Sequence, residues 1–441
     1  MAMGAARSGA ETLQFQVVCL DELVAVDDRY RRIERVISWR AVRVSAAPFY
    51  AVDGRPSVDP AVLLKLFLVA AIEGRSSMRE TLRLAERDLA VRRFLGYGLT
   101  ERLPSHATVS YAQCVRFAES SVFEQLFVQV LAQCREAGLL DGTRLVVDAT
   151  HVEANAALKS LRAELTEVLE RDDEPAGGDP PAAGPGPALR LAEPRRGATP
   201  KRRASNQTAV SITDPDAKLR FKPGHRSHLV HRAQIATDPK QRVIVAVVAE
   251  HATGSEAAAL PRLVRRARFA GHRVDELCAD QGYASAETYR TLERLSVTAY
   301  IPPQPRMKGP EAVAARERVR TPVGVACAID RMTHGEGAIG ELKLCHGLGR
   351  ARSRGTPRLQ IQLLIAATAV NLKRLLRHSD AAIGGAAGSG GTDQTAGATA
   401  AANAQPARRR LIRDSHHLIL TTGRRWRAIL APPARASLTA S

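Results

Sequence analysis

Two oppositely charged residues, Glu336 and Lys343, lie seven positions apart in the stretch GEGAIGELKLCHGLGRARSRG. A helix with about 3.6 residues per turn returns to nearly the same direction after two turns, within roughly 20°, so a helix here puts a carboxylate and an ammonium on one face. Two other isolated acids can join this glutamate. Asp148 ends the apolar run RLVVDAT, and Asp280 ends VDELCAD just before a glycine-containing turn. Aspartates at the ends of adjacent strands repel each other unless a divalent cation sits between them, and all-oxygen donors suit magnesium, or manganese in its place. With a third carboxylate, two ions about 3.5–4 Å apart can activate a water or a 3′-hydroxyl and stabilise the leaving oxygen of an in-line phosphoryl displacement. Asp148, Asp280 and Glu336 are thus both the catalytic and the metal-ligand set that a magnesium-dependent nuclease or strand transferase needs. Spacing alone does not single them out from the 45 acids of the chain.

Other acids and histidines compete for these roles. Glu341 lies five residues after Glu336 and points roughly 140° away from it at about 100° per residue, off the face of Lys343. Asp141 precedes the strand in an Asp-Gly turn, and Asp214 and Asp216 flank Pro215, positions expected of turn formers. His225, His228 and His231 raise the question of zinc, but on a strand the middle one faces away from the others and no cysteine accompanies them.

The composition limits what such a site can act on. The chain has 441 residues, 45% of them apolar, a formal net charge of +19 and a pI near 10.3. A chain of that size is expected to hold two or more packed domains, and a cationic surface this strong favours a polyanion, nucleic acid before membrane. Six cysteines without a CxxC pair fit a reduced cytoplasm. The start MAMGAARSGAETLQF has no apolar signal core, and the apolar stretches LLKLFLVAAI and LQIQLLIAATAV fall short of the ~18 residues of a membrane span.

The elements that must hold the acids can be read from periodicity. Residues 1–140 read as a helical domain. Pro60 opens a buried helix that runs to Gly74, Ser76 or Ser77 caps a second, MRETLRLAERDLAVRRFLG, and Ser105 begins a third, HATVSYAQCVRF. Arg92, Arg93 and Arg116 flank these short helices, which allows a DNA-binding helix-turn-helix, although an ordinary helical bundle has the same pattern. Residues 141–378 then form an α/β domain. TRLVVDAT predicts a central strand with Asp148 at its carboxyl end, and SHLVHRAQIA and QRVIVAVVAE predict a hairpin about TDPK. Next come a helix over 255–270, the strand ending at Asp280, a helix over 284–295 and the strand VTAYIPP, then an irregular stretch to about 330 and helices over 336–346 and 357–377. Between about 160 and 205 a charged helical piece leads into a Pro- and Gly-rich insertion expected to be disordered, and 379–441 read as a low-complexity and basic tail.

A resemblance raises the standing of the three acids. SITDPDAKLRFKPGHRSHLVHRAQIATD, ADQGYASAETY and GEGAIGELKLCHGLGRARSRGTPRLQIQLLIAATAVNLKRLL resemble, in order, the blocks of bacterial insertion-sequence DDE transposases. GRPSVDPAVLLKLFLVAAIEG, SMRETLRLAERDLAVRRFLG and PSHATVSYAQCVRF resemble the helical N-terminal domain of the same proteins, so the match covers roughly residues 50–378. It implies a ribonuclease-H-like mixed sheet with flanking helices, with Asp148, Asp280 and Glu336 as first, second and third catalytic carboxylates. Lys343 is then a phosphate contact, and His228 either a substrate-contacting position or a hydrogen-bonding residue at the strand edge. It also implies an enzyme that binds the terminal inverted repeats of its element as a dimer or larger assembly, cuts the ends with Mg2+ or Mn2+, and joins the 3′-hydroxyls to target DNA in the bacterial nucleoid. A nuclease without strand transfer and a remnant that only binds DNA are the alternatives. Two positions depart from the family pattern. Met332, with Arg331 beside it, stands where relatives carry an arginine four residues before the glutamate, and Glu256 stands where they tend to carry Asp.

Overall fold

The computed structural model describes residues 19–51, 53–54, 57–163, 206, 209–220 and 227–388. Helices come first in the chain: α1 (Leu20–Leu23), α2 (Arg29–Val36), α3 (Trp39–Ala46), α4 (Pro60–Ile72), α5 (Met78–Arg87), α6 (Leu89–Leu95), α7 (His106–Tyr111) and α8 (Val122–Glu136). Local chemistry sets their starts. Asp59 accepts from the Ala61 N–H at the head of α4, Ser77 rather than Ser76 caps α5, and Ser105 caps α7. The single helix expected over residues 78–96 is broken at Asp88, which ends α5 in an extended conformation and caps α6 by accepting from the Val91 N–H at 3.0 Å. An aspartate side chain offers the backbone a bond that competes with helix continuation, and here it wins.

The sheet contains β1 (Arg144–Glu153), β4 (Lys218–Arg220), β5 (His228–Asp238), β6 (Val243–His251), β7 (Glu276–Cys278) and β8 (Thr298–Tyr300); a separate pair joins β2 (Leu161–Ala163) to β3 (Ala209–Ser211). Across the sheet the order is β6-β5-β1-β7-β8, with β4 beside the start of β5. The hairpin β5–β6 and the β1–β5 pair are antiparallel, whereas β1–β7 and β7–β8 are parallel. This is the ribonuclease-H-like mixed sheet, with β1 at its centre. The small β2–β3 pair closes the base of the expected insertion, so its first residues are strand; residues 164–205 lie outside the described residues, and with them the charged helical piece.

Helices α9 (Leu260–Phe269) and α10 (Ala286–Arg294) fall where the periodicity puts them. The stretch expected to be irregular up to 330 instead forms α11 (Pro310–Arg320) and α12 (Pro322–Asp330). Its prolines, Pro310 and Pro322, occupy first helical turns where the missing N–H costs nothing, and Thr321 caps α12 with its hydroxyl 3.1 Å from the Gly324 nitrogen. Next come α13 (Glu336–Cys345) and α14 (Thr356–Gly388). Helix α14 runs past the expected end at 377, and Asp380 is paired with Arg32 of α2 at 2.7 Å. Residues 389–441, including the basic tail segment, lie outside the described residues.

By length and hydropathy α14 would pass for a membrane span, but Leu359, Leu363, Leu364, Ala367 and Val370 are buried where it packs on β6, α8 and α4. One core runs through the helices and the sheet. Two amides of α14, the buried Asn371 and the partly buried Gln360, also serve β6, which pairs on its other side with β5. Asn371 accepts from the Ile244 N–H at 2.9 Å and donates to the Ile244 carbonyl at 2.8 Å, and Gln360 does the same for Ala249 N–H and Val247 carbonyl at 2.8 and 3.2 Å. Replacing Asn371 with Leu removes a buried donor and acceptor from Ile244, and urea unfolding is expected to show a loss of about 2–4 kcal/mol. An unchanged midpoint would mean that these amides contribute nothing to the edge.

Candidate active site

The acids are placed by strand register. In the parallel pair β1–β7 the last partners are Val146 and Cys278. Asp148 and Asp280 each stand two residues later, where β1 and β7 part. Side chains two apart on a strand share a face, so Asp148 follows Val146 on the face where Val146, Cys278 and Cys327 of α12 pack together. Asp148 is not at the end of its own strand, as expected, because β1 continues to Glu153 against β5, with Asp148 opposite Ile235. It lies at the end of the parallel pairing. Asp280 accepts from the Gly282 N–H at 2.9 Å and so starts the turn Gln281–Tyr283. Tyr283, 1% exposed, donates its hydroxyl to Gln234 on β5 and pins that turn to the sheet.

The third acid arrives on a rod formed by α12, a π-helical turn over Arg331–Gly335, and α13. Gly335 permits the close crossing: a Cβ there would stand 3.3 Å from Val146 Cγ1 and 3.6 Å from Asp148 Cβ. Glu336 is the next residue. The π turn also accounts for the departure at Met332. Five residues separate Arg331 from Glu336, a spacing that an α-helix would splay by roughly 140°; the wider turn brings them to one side, with Arg331 Nη1 3.8 Å from Glu336 Oε1. Met332 is left 61% exposed. The extra residue is absorbed locally, and Arg331 takes the flank of the glutamate.

The charges act on one another. Burial pushes the Asp148 carboxyl up to about 6, and Asp280 and Glu336 push the same way against the Ala149 N–H and Arg331. Glu256 joins this group without having been expected in it. Its Oε2 and Asp280 Oδ1 both come within 3.0 Å of where a Gly282 Cβ would stand, and burial first, then Asp280 and Glu250, raise its carboxyl above the usual range against Arg232. Asp148 therefore has Asp280 and Glu336 as electrostatic neighbours, but among the described residues no three acidic, histidine or cysteine side chains close on a single point as a ready-made cage. The donors are all hard oxygens with surplus negative charge, which fits magnesium or manganese.

Cations gather at the other end of the same elements. Lys343 is partly buried, and burial with Arg220 lowers its ammonium from the usual value. Burial and then Arg220, Arg232 and Lys343 push His151 down to about 4. His228 is exposed at the start of β5 and pairs in register with Arg220. The arginines of the helical region have other partners. Arg92 is 6% exposed and donates to the carbonyls of Gly98 and Glu101, so it does not offer its guanidinium to DNA as expected. Arg93 is paired with Asp21 and Glu34. Arg116, at the end of a π-helical turn after α7, lies over the Tyr50 ring at 4.4 Å and donates to Ser57.

The competing groups have structural tasks. Glu341 turns towards α14; burial would raise its carboxyl, but His346, Arg374 and Lys373 hold it well below the usual range. Asp214 and Asp216 do more than form a turn. Asp214 is fully buried against His231, Oδ2 to Nε2 at 2.9 Å, and takes the Gly355 N–H, while Asp216 takes the Thr356 N–H at the head of α14. His231 is thus occupied, and His225 lies outside the described residues.

The family described as "Transposase DDE domain" matches residues 139–372, and "Transposase domain (DUF772)" matches residues 18–113. No curated protein matches. Among solved structures, the chain is similar at 10% identity to a piggyBac transposase synaptic complex with hairpin DNA, covering 91% of this chain and 80% of that one with a TM-score of 0.35. A pre-cleavage Mos1 transpososome matches at 10% identity over 74% of this chain and 81% of that one, with a TM-score of 0.18.

A carboxylate whose folded pKa lies above its unfolded one destabilises the fold as pH rises through the interval between them, here from about 4 to about 6. Asp148→Asn is therefore expected to stabilise metal-free protein at pH 7.5 by on the order of 1–2 kcal/mol after solvent screening, seen as a higher melting temperature, and the gain should vanish by pH 4. A variant that melts lower than wild type at pH 7.5 would show that Asp148 is a stabilising residue instead.

Proposed function

The chain belongs to the DDE transposases, and we propose that it binds the terminal inverted repeats of an insertion sequence, cuts at the element ends and joins the freed 3′-hydroxyls to target DNA in the bacterial cytoplasm. The observation that supports this most directly is the meeting of Asp280 and Glu336 at Asp148, where an excess of carboxylate charge is held partly out of water. Asp148, Asp280 and Glu336 would hold two magnesium or manganese ions, which when bound supply an activated water or 3′-hydroxyl and neutralise charge on the leaving oxygen.

The residues of the chain supply position and charge balance. Asp148 is deprotonated above about pH 6 and so is ready to bind a cation at neutral pH. Asp280 is oriented by its bond to Gly282, and its turn by Tyr283 and Gln234. Arg331 partly offsets the charge of Glu336 and Asp148. Lys343 and His228 contact the DNA backbone, and the N-terminal helices, with Arg116 on their surface, bind the repeat. Two copies are needed to hold two ends. The Met332 departure, one of the features that lend weight to a DNA-binding remnant, is offset by the π turn, which returns Arg331 to Glu336.

The test is a plasmid carrying the gene with its own flanking DNA, incubated with the protein and magnesium. Strand cleavage at the element ends and joined products are expected. Loss of an outer-shell partner typically costs 10–100-fold, so Asp148→Asn, Asp280→Asn and Glu336→Gln should each lower cleavage by more than about 100-fold while DNA binding persists. Equal cleavage by Asp148→Asn would refute the assignment, and ends that are cut but never joined would identify a nuclease.

A further inference from the structure

Helix α5 carries three arginines in a row. Arg79, Arg83 and Arg87 stand four residues apart, so each step along the helix advances about 6 Å and turns by only about 40°. All three are exposed, and the opposite side of the helix, with Thr81, Leu82 and Ala85, is the buried one. Other arginines of the helical region are neutralised by nearby acids: Arg29 by Glu73, Arg31 and Arg93 by Asp21, Arg43 by Asp59, and Arg32 by Asp380. Among the described residues the three on α5 form no ion pair, although Glu80 and Glu86 share their helix; Glu80 accepts from the Ser76 hydroxyl at 3.0 Å instead.

By itself the row opposes folding. Like charges at this spacing repel, and Arg79 sits in the first turn, where the free N–H groups of the helix already disfavour a cation. A polyanion lying along the row offsets both effects. From Arg79 to Arg87 is about 12 Å at 1.5 Å per residue, which matches three to four nucleotides of one DNA strand at about 3.4 Å each.

The start of α5 is tied to the helix that carries the third acid. Helix α13 has Glu336 in its first turn and ends at Cys345, about 14 Å further on. There the chain leading into α5 crosses it: a Cβ on Gly74 would fall 2.7 Å from the Cys345 carbonyl oxygen, and one on Gly347 would fall 3.6 Å from the Arg75 carbonyl oxygen. Arg75 is exposed at this crossing, and Ser77 caps α5 two residues later. Helix α5 thus departs from a point about four base pairs of duplex length from Glu336.

Building on the transposase reading, we propose that Arg79, Arg83 and Arg87 form the face that holds the phosphate backbone of the terminal-repeat duplex, on the insertion sequence's side of the cut. Three guanidinium groups in line grip successive phosphates of one strand without reading a base. Because α5 starts where α13 ends, the duplex held on the row is set at a fixed distance from the carboxylates.

The experiment measures binding of the full-length protein to a fluorescein-labelled duplex of the gene's own flanking DNA by anisotropy over a series of salt concentrations. Each phosphate contact contributes about 0.9 to the slope of log affinity against log salt. Arg79→Ala, Arg83→Ala and Arg87→Ala should each flatten the slope by about one and the triple variant by about three, with unchanged thermal melting, and binding to a scrambled duplex should weaken by the same factor. Arg294→Ala, exposed on α10 and paired with Glu287, should keep the wild-type slope. On a duplex that ends three base pairs inside the cut, wild type and triple variant should have equal slopes; a difference that survives this trimming would overturn the placement on the insertion sequence's side. A wild-type slope in the folded triple variant would overturn the row while leaving the transposase reading intact. A wild-type chain that binds no duplex would overturn both.

Discussion

Holding carboxylates together against their own repulsion is the constraint that organises this structure. Asp148 feels Asp280 and Glu336, and Asp280 has Glu256 at its side. Nothing in that group favours folding, so the surroundings must fix it. The parallel register sets two of the acids level with each other, and the helical rod that brings the third is fastened at its far end. There, Glu341 takes Lys373 and Arg374 from α14, and His346 bonds to the Ala71 carbonyl of α4 at 3.0 Å. Gly74 (φ +59°) fits beneath that junction only because it lacks a side chain, since a Cβ would fall 2.7 Å from the Cys345 carbonyl oxygen. Stability is invested in the frame and withheld from the site.

Much of this frame was legible in the sequence, for identifiable reasons. The hairpin β5–β6 and the strand of Asp148 are runs of β-branched and apolar residues with clear turn signals, and α4 begins with Asp59-Pro60. The same logic failed where one residue type serves two purposes. Pro310 and Pro322 fall in the stretch expected to be irregular but start helices, and Asp88 falls inside an expected single helix but ends one and begins another. Arg92 and Arg93 read as surface charge, yet their partners, the carbonyls of Gly98 and Glu101 and the acids Asp21 and Glu34, are supplied by chain folding back. No local pattern encodes that.

For the candidate site, the three acids stood out through a resemblance rather than through spacing, Asp148 lies within its strand and not at its end, and the company of the acids could not be read at all. Glu256 precedes a helix in a Ser-Glu sequence that looks like ordinary capping, and only the packing of Gly282 shows it beside Asp280. The one-residue offset between Arg331 and the family pattern misplaces the arginine only if helical spacing is uniform. A π turn is the physical means by which a helix takes in an extra residue while the turns beyond it keep their direction.

The amides of Asn371 and Gln360 have a consequence for assembly. An open strand border invites another chain to add to it, but along β6 these side chains already occupy groups that a visiting strand would use. At the opposite border, Arg318 donates to the Ala299 carbonyl of β8 at 3.1 Å. Either border of the sheet is therefore closed to a second chain that would extend it into a continuous ribbon.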